Sequence, residues 1–272
     1  MSGLFLVHAH PDDEAFSTGG VMLKAHREGR RVVLVTATRG EAGEIHNMDP
    51  EASRPRLAEI RAEELRRAAE ILGVDRQEFL GYRDSGMAGT PENDDPASFH
   101  QAPLGEAAQR LAALLREERP DVVVTYDPTG TYGHPDHIKS HRVTMAALDA
   151  LEKEGWEPAK AYWQAIPRSG IEEFGRRLEV EGKPNPFEKY PIGVPDEEIT
   201  TIVDVREFVD HKRRAFQAHV SQNAPDSFFS DTASDFVERA FGTETFIIAR
   251  GHLGAPRPEP DLFTGIVAPT AG

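Results

Sequence analysis

Apolar residues fall along this chain in short solid runs and in spaced helical sets, and the two kinds alternate. Leu4 to Val7 is a continuous apolar run that reads as a buried strand. Gly19-Gly20 opens a helical stretch to about Arg27, with Val21, Leu23 and Ala25 apolar and Gly29 ending it. Arg31 to Ala37 is β-branched and reads as a central parallel strand. Arg56 to Leu72 places Leu57, Ile60, Leu65, Ala68, Ala69 and Leu72 at helical intervals, and Gly73 stops it. Phe79-Leu80 reads as a short strand and Leu104 to Arg116 as an amphipathic helix. Asp121 to Tyr126 reads as the next strand and His137 to Leu151 as a helix.

Beyond Ala150 the pattern weakens. Strands are expected at Tyr162 to Ile166, Thr200 to Val203 and Thr245 to Ala249, with a helix from Glu207 to Val220. Gly182 to Pro195 reads as a long loop, and the Pro-rich stretch from 251 to 272 as a loosely ordered tail. Strands alternating with helices predict an α/β fold: a Rossmann-like, mostly parallel sheet with helices on both faces and a less regular C-terminal part. The length of 272 residues suits a single domain over 1–272.

Composition narrows the partners. A net charge of -15 argues against nucleic acid and against an anionic membrane surface. A small substrate remains, and Arg54, Arg56, Arg61 and Arg83 could line a basic pocket for an anionic one. With no cysteine, no disulfide can form and no thiolate can hold a metal. No signal peptide or membrane span is read, so a cytoplasmic protein is expected. Nothing in the composition speaks to oligomeric state.

Two loops carry the chemistry, and each follows a predicted strand. His8-Ala9-His10-Pro11-Asp12-Asp13-Glu14 comes directly after the first, and Tyr132-Gly133-His134-Pro135-Asp136-His137 begins six residues after Tyr126. In a doubly wound sheet, ligands bind in the crevice at the carboxyl ends of the strands, where both loops would lie. Together they offer imidazole and carboxylate ligands for a catalytic metal that keeps one position open. The candidate ligands are His10, Asp13 and His137, with Asp12 as general base beside them. His134 is a second imidazole, expected in its charged form to stabilise an oxyanion or protonate a leaving amine. Asp136 is expected to fix its tautomer. Taken singly, the Asp12-Asp13-Glu14 run is an ordinary helix-start pattern; two such loops, each after a strand, are not. His8 lies two residues before His10, so on a strand both point to one face, and a supporting role is expected.

His10-Pro11-Asp12-Asp13-Glu14 with His134-Pro135-Asp136-His137 resembles the PIG-L/LmbE-like zinc deacetylases. The resemblance spans most of the chain and includes Thr38-Arg39-Gly40-Glu41 and Tyr126-Asp127-Pro128. It is nearest the mycothiol branch. Tyr82-Arg83-Asp84-Ser85-Gly86-Met87 resembles that branch's N-acetylglucosaminyl-inositol deacetylase, and Asp261-Leu262-Phe263-Thr264-Gly265-Ile266 its S-conjugate amidase. Bacillithiol-type relatives carry Arg where this chain has Gly133.

The resemblance implies a zinc-dependent hydrolase, with Fe2+ or another divalent metal as the alternative, that removes an N-acetyl group from an amino-sugar glycoside. It implies His10, Asp13 and His137 as ligands and Asp12 as base. Tyr132 would polarise the amide carbonyl, and His134 would act as acid with Asp136 behind it. Ser17, Glu44, Arg61 and Asp84 match positions near the sugar or its aglycone. Three other readings stand beside it: an S-conjugate amidase, a two-metal phosphoesterase, and a sugar-binding protein on an inactive scaffold.

Overall fold

The computed structural model describes residues 3–180, 182, 185, 188, 192–224 and 241–266. In chain order these form β1 (Gly3–His8), α1 (Asp13–Ser17), α2 (Gly19–Arg27), β2 (Arg31–Thr38), α3 (Pro50–Ser53), α4 (Leu57–Ile71), β3 (Arg76–Tyr82), α5 (Leu104–Glu118), β4 (Val122–Tyr126), α6 (Gly130–Gly133), α7 (Pro135–Lys153), β5 (Lys160–Gln164), α8 (Arg168–Val180), β6 (Thr201–Asp204), α9 (Val209–Ala218) and β7 (Thr243–Gly251). The strands make one seven-stranded sheet in the order β3-β2-β1-β4-β5-β7-β6. The first five are parallel, and β7 runs antiparallel to both β5 and β6.

β1, β2 and β4 are apolar almost throughout because both faces are covered. Successive side chains alternate between two cores. Leu4, Leu6, Leu34 and Val124 meet residues of α2, α4 and α9 on one side. Phe5, Val7, Val35 and Val123 meet α5 and α7 on the other. β1 has β2 and β3 to one side and β4 and β5 to the other, so the strand order reverses between β1 and β4. The crevice at their carboxyl ends is therefore the ligand position of such a sheet.

Four helices lie outside the sequence expectations. α1, α3 and α6 are four or five residues long, too short for a periodic signal. α8 buries only Phe174 and Leu178. β3 runs Arg76–Tyr82 rather than Phe79-Leu80, since an edge strand carries polar residues that hide it. β5 begins at Lys160, two residues before the expected start, because a buried lysine reads as a loop residue. The expected loop from 182 to 195 lies partly outside the described residues.

Residues 252–266 are tied down rather than loose. Glu259 pairs its backbone with Thr200 and Ile202 at 2.8 Å each, and Leu262 and Phe263 are buried. The Glu259 carboxylate sits in the interior, 2.7 Å from Lys160 Nζ and 2.7 Å from the Tyr162 hydroxyl. Residues 267–272 of the expected tail lie outside the described residues.

This buried pair generates a prediction. Burial pushes the Glu259 carboxyl up, but Lys160, the Tyr162 hydroxyl and the Gly254 N–H outweigh burial and hold it below its ordinary value. A depressed carboxyl contributes stability above the ordinary carboxylate range, near about pH 4.3, and loses it as pH falls through the folded value. Glu259→Gln should therefore lower unfolding free energy at neutral pH by about 3 kcal/mol, since it leaves the Lys160 ammonium buried alone. Urea titrations at several pH values should show the gap between parent and variant narrowing toward acid. A gap independent of pH would refute the ion-pair account.

Candidate active site

β1 ends at His8, and the chain turns through Ala9 to Asp12 into α1. β4 ends at Tyr126, and the chain turns through Asp127 into α6 and then α7. The two turns meet over the carboxyl ends of β1 and β4, as the strand order requires. His10, His134 and His137 each bring a ring nitrogen within 4.8 Å of the other two, and all three residues are buried. Asp13 bridges two of them: one carboxylate oxygen lies 3.3 Å from His137 Nε2, the other 3.5 Å from His10 Nδ1. That second oxygen also accepts the Tyr126 hydroxyl at 2.6 Å and the His10 backbone N–H at 2.8 Å.

These donors fit a divalent metal. Both ring nitrogens of His137 are buried, and neither makes a hydrogen bond. Leaving a buried polar atom unpaired is costly, and a cation shared among His10, Asp13 and His137 would remove that cost at Nε2. His134 stands close enough to join the set, although the sequence reading left it outside. Its Nδ1 accepts the Asp136 backbone N–H at 3.1 Å, which caps α7 and leaves Nε2 as its free position.

The structure corrects two expected roles. The Asp136 carboxylate serves His10 rather than His134: one oxygen lies 3.2 Å from His10 Nε2 and accepts the Ser85 N–H at 2.9 Å, while the other takes the Ser85 hydroxyl. Asp136 gives His134 only its backbone N–H. The charged form expected of His134 is also disfavoured: burial first, and then His10 and His137, push its pKa down to about 2, which favours the neutral ring.

Asp84 also backs His10, with its Oδ1 3.6 Å from His10 Nε2. Its oxygens accept the Gly86 and Ala42 N–H groups at 2.8 and 3.2 Å. Burial would pull the His10 imidazole down, but Asp84, Asp13 and Asp136 overcome it and hold the ring well above its ordinary value. Carboxylates behind a ligating imidazole fix its orientation and raise its basicity. His10, Asp84 and Asp136 are themselves a possible metal cluster. It shares His10 with the first, and its carboxylates are already engaged by Ser85, Gly86 and Ala42, which weakens the two-metal phosphoesterase reading.

Asp12 occupies the turn between β1 and α1 with φ at 111°. Few residues other than glycine adopt such a conformation, which costs on the order of 1–3 kcal/mol. Its carboxylate is partly exposed and lies 3.1 Å from Arg61 Nη2. Burial lifts its pKa to about 6, against the pull of Arg61. Arg61 is not the solvated arginine its helix suggests. It is 3% exposed and spends its guanidinium on the Gly40 carbonyl at 2.7 Å, the Pro11 carbonyl and Asp12.

Tyr132 sits on α6 with its ring edge-on to His137, centroids 5.0 Å apart. Burial and the nearby Asp13 push its hydroxyl pKa well up, so it is a protonated donor. Ser17 lies one turn after Asp13 on α1, half-buried. Glu44 is exposed on the loop after β2, 3.3 Å from His46, and does not join the cluster. The arginines expected to line a basic pocket are committed elsewhere: Arg54 to the Glu41 and Gly43 carbonyls, Arg56 to Glu59, Arg83 to Asp95 and Arg61 to Asp12. His8 has the supporting role expected of it, between the Tyr126 hydroxyl at 3.3 Å and Thr18 at 2.9 Å.

Three contributors were given no role in the sequence reading, although Tyr126 and Ser85 lie in motifs it quotes. Tyr126 stacks on His137 with centroids 4.2 Å apart and holds Asp13; its place at the end of a predicted strand was the available clue. Ser85 anchors Asp136, and His219 pairs with Glu14 from the far end of the chain. Neither contact is visible in a local pattern.

Comparison with known proteins adds a family. The model of the family described as PIG-L: GlcNAc-PI de-N-acetylase matches residues 5–148. A Geodermatophilus obscurus protein named 1D-myo-inositol 2-acetamido-2-deoxy-alpha-D-glucopyranoside deacetylase is 42% identical, covering 97% of this chain and 97% of its own. The protein of that name from Acidothermus cellulolyticus is 43% identical over 99% of this chain and 97% of its own. Among solved structures, the N,N'-diacetylchitobiose deacetylase of Pyrococcus horikoshii shares the fold. Its TM-score is 0.58 at 24% identity, over 99% of this chain and 88% of that one.

The Arg61 contact generates a second prediction. A Cβ on Gly40 would lie 2.2 Å from Arg61 Nη1, and Gly40 has φ at +67°. Gly40→Ala should therefore destabilise the protein by about 1–3 kcal/mol through strain and displacement of the guanidinium. Urea titration measures this directly. Parent-like stability would mean that Arg61 is not locked over Gly40.

Proposed function

The chain belongs to the PIG-L family of GlcNAc-PI de-N-acetylases, and on that footing we propose that it is a metal-dependent hydrolase that removes the N-acetyl group from a glucosamine-containing glycoside. The glycoside of N-acetylglucosamine with myo-inositol is the proposed substrate, the one named for relatives matched over nearly the whole chain. The observation that carries this reading is the convergence of His10, Asp13 and His137 beside Asp12 at the switch between β1 and β4. No helix among the described residues is long and apolar enough to cross a membrane. The proposed substrate is a small glycoside, and the proposed compartment is the cytoplasm.

His10, Asp13 and His137 are the proposed ligands. Imidazole and carboxylate suit zinc, and also ferrous iron. When bound, the cation would supply Lewis acidity, lowering the pKa of a water toward about 7 and polarising the acyl carbonyl. Asp12 would take a proton from the attacking water and return it to the departing amine. Tyr132 donates its hydroxyl hydrogen to the oxyanion that develops on the acyl group. His134 is neutral, and its Nε2 is the position from which it donates to the same charge. Asp84 and Asp136 hold His10, and Arg61 holds Asp12. Ser17 and Glu44 remain candidates for contact with the sugar or its aglycone.

The test is amine release by the zinc-loaded protein. The panel is N-acetylglucosamine, its inositol and malate glycosides, and a mycothiol S-conjugate. Release from the inositol glycoside is expected. Asp12→Ala should keep its metal and lose about two to four decades of turnover, the usual size of a lost general base. His137→Ala should lose the metal, read by atomic emission. Near-parent turnover in Asp12→Ala would sink the base assignment, and cleavage of the S-conjugate alone would make the protein an amidase.

A further inference from the structure

Asp12 holds a backbone conformation that it would leave unless something kept it there. Its N–H donates to Glu14 Oε2 at 2.9 Å. The other oxygen of that carboxylate lies 2.6 Å from His219 Nε2. Glu14 and His219 are both fully buried, although 205 residues separate them in sequence. His219 Nδ1 is buried without a hydrogen-bond partner. The imidazole therefore tolerates one orphaned nitrogen in exchange for the contact with Glu14, an arrangement with no merit for packing alone.

His219 directly follows α9, and the residues after it brace the same turn from a second side. Ser221 donates its N–H and its hydroxyl to Glu64, each at 2.7 Å. Glu64 lies on α4 one turn beyond Arg61, whose guanidinium holds the Asp12 carboxylate and the Pro11 carbonyl. The segment from His219 to Ser221 thus supports both holders of Asp12: Glu14 at its backbone and, through α4, Arg61 at its side chain.

We infer that Glu14 and His219 form a positioning pair for Asp12, in which Glu14 fixes the strained turn through the Asp12 N–H and His219 fixes Glu14. The inference rests on the reading of Asp12 as general base. A geometric role separates from an electrostatic one by two substitutions. Glu14→Asp keeps the charge but shortens the arm, so one carboxylate no longer spans Asp12 and His219. Glu14→Gln loses the charge but keeps the span: its carbonyl accepts the Asp12 N–H, and its amide faces a His219 ring in the other tautomer.

In the full-length zinc-loaded protein, Glu14→Asp should lower kcat by about ten- to a hundredfold, the scale of an ångström-sized misplacement. KM and bound zinc should stay near the parent's. Glu14→Gln should stay within roughly threefold of the parent in kcat, since the geometry is kept. His219→Ala is the independent arm and should repeat the loss in kcat with KM and zinc retained. The inference is overturned if Glu14→Gln loses more than Glu14→Asp, if folded Glu14→Asp and His219→Ala both turn over like the parent, or if their losses follow lost zinc. Asp12→Ala run alongside separates the two levels. If it stays active, the base assignment fails; if it is inactive while Glu14→Asp is active, only the positioning pair fails.

Discussion

The pairing of β1 with β4 is the contact on which the site depends. Leu4 aligns with Val122 and Leu6 with Val124, so strands more than a hundred residues apart lie side by side and parallel. A parallel pair needs a long crossover, and closing that loop costs entropy before any contact rewards it. The return is burial of nearly every side chain of both strands against helices on two faces. With β1 and β4 adjacent and codirectional, the turns that leave them share one crevice. His10, Asp13, His134 and His137 then meet without further provision.

Meeting in a nearly dry crevice creates an electrostatic problem, and the site answers it with partners for its carboxylates. Asp13 has His10, His137 and the Tyr126 hydroxyl, Asp136 has Ser85 and His10, and Asp84 has two backbone N–H groups and His10. Buried charges of this kind are tolerable only when paired and hydrogen-bonded. The arrangement also divides labour between the two nitrogens of His10. Nε2 faces Asp84 and Asp136, and Nδ1 faces Asp13. His134 accepts a backbone N–H at Nδ1, and burial together with His10 and His137 favours its neutral form.

The C-terminal part of the chain supplies what holds this crevice in shape. β7 and β6 extend the sheet, and Glu244 at the start of β7 accepts the Gly20 and Val21 N–H groups at 2.8 Å each, securing the first turn of α2. Lys212 of α9 neutralises that carboxylate at 2.6 Å, entirely inside the protein. Beyond β7, Glu259 ties the last described segment to β5 and β6 through Lys160, Tyr162 and the backbone. These contacts lie outside the metal-ligand motifs, but they fix α2 and α9 against the sheet.

Much of the fold was legible in the sequence because the central strands and the long helices have one unambiguous periodicity each. β1, β2 and β4 are solid apolar runs, and α4 and α5 keep helical spacing, since burial on fixed faces imposes those patterns locally. The two ligand-bearing loops were legible for the same reason: each directly follows such a strand, and strand ends in this architecture face the ligand. What the sequence could not determine was set by contacts between distant residues. Asp136 was expected behind His134 because the two are neighbours in the chain, and it serves His10 because β1 brings His10 closer in space. Arg61 looks solvated on its own helix and is buried because the loop after β2 folds over it. Lys160, Glu259 and His219 carry no burial signal in the local pattern and are interior, each matched to a partner far along the chain. A period in the sequence reports which face of an element is buried; which polar groups meet there is decided only when the elements pack, because a buried charge is stable only beside the partner that packing delivers.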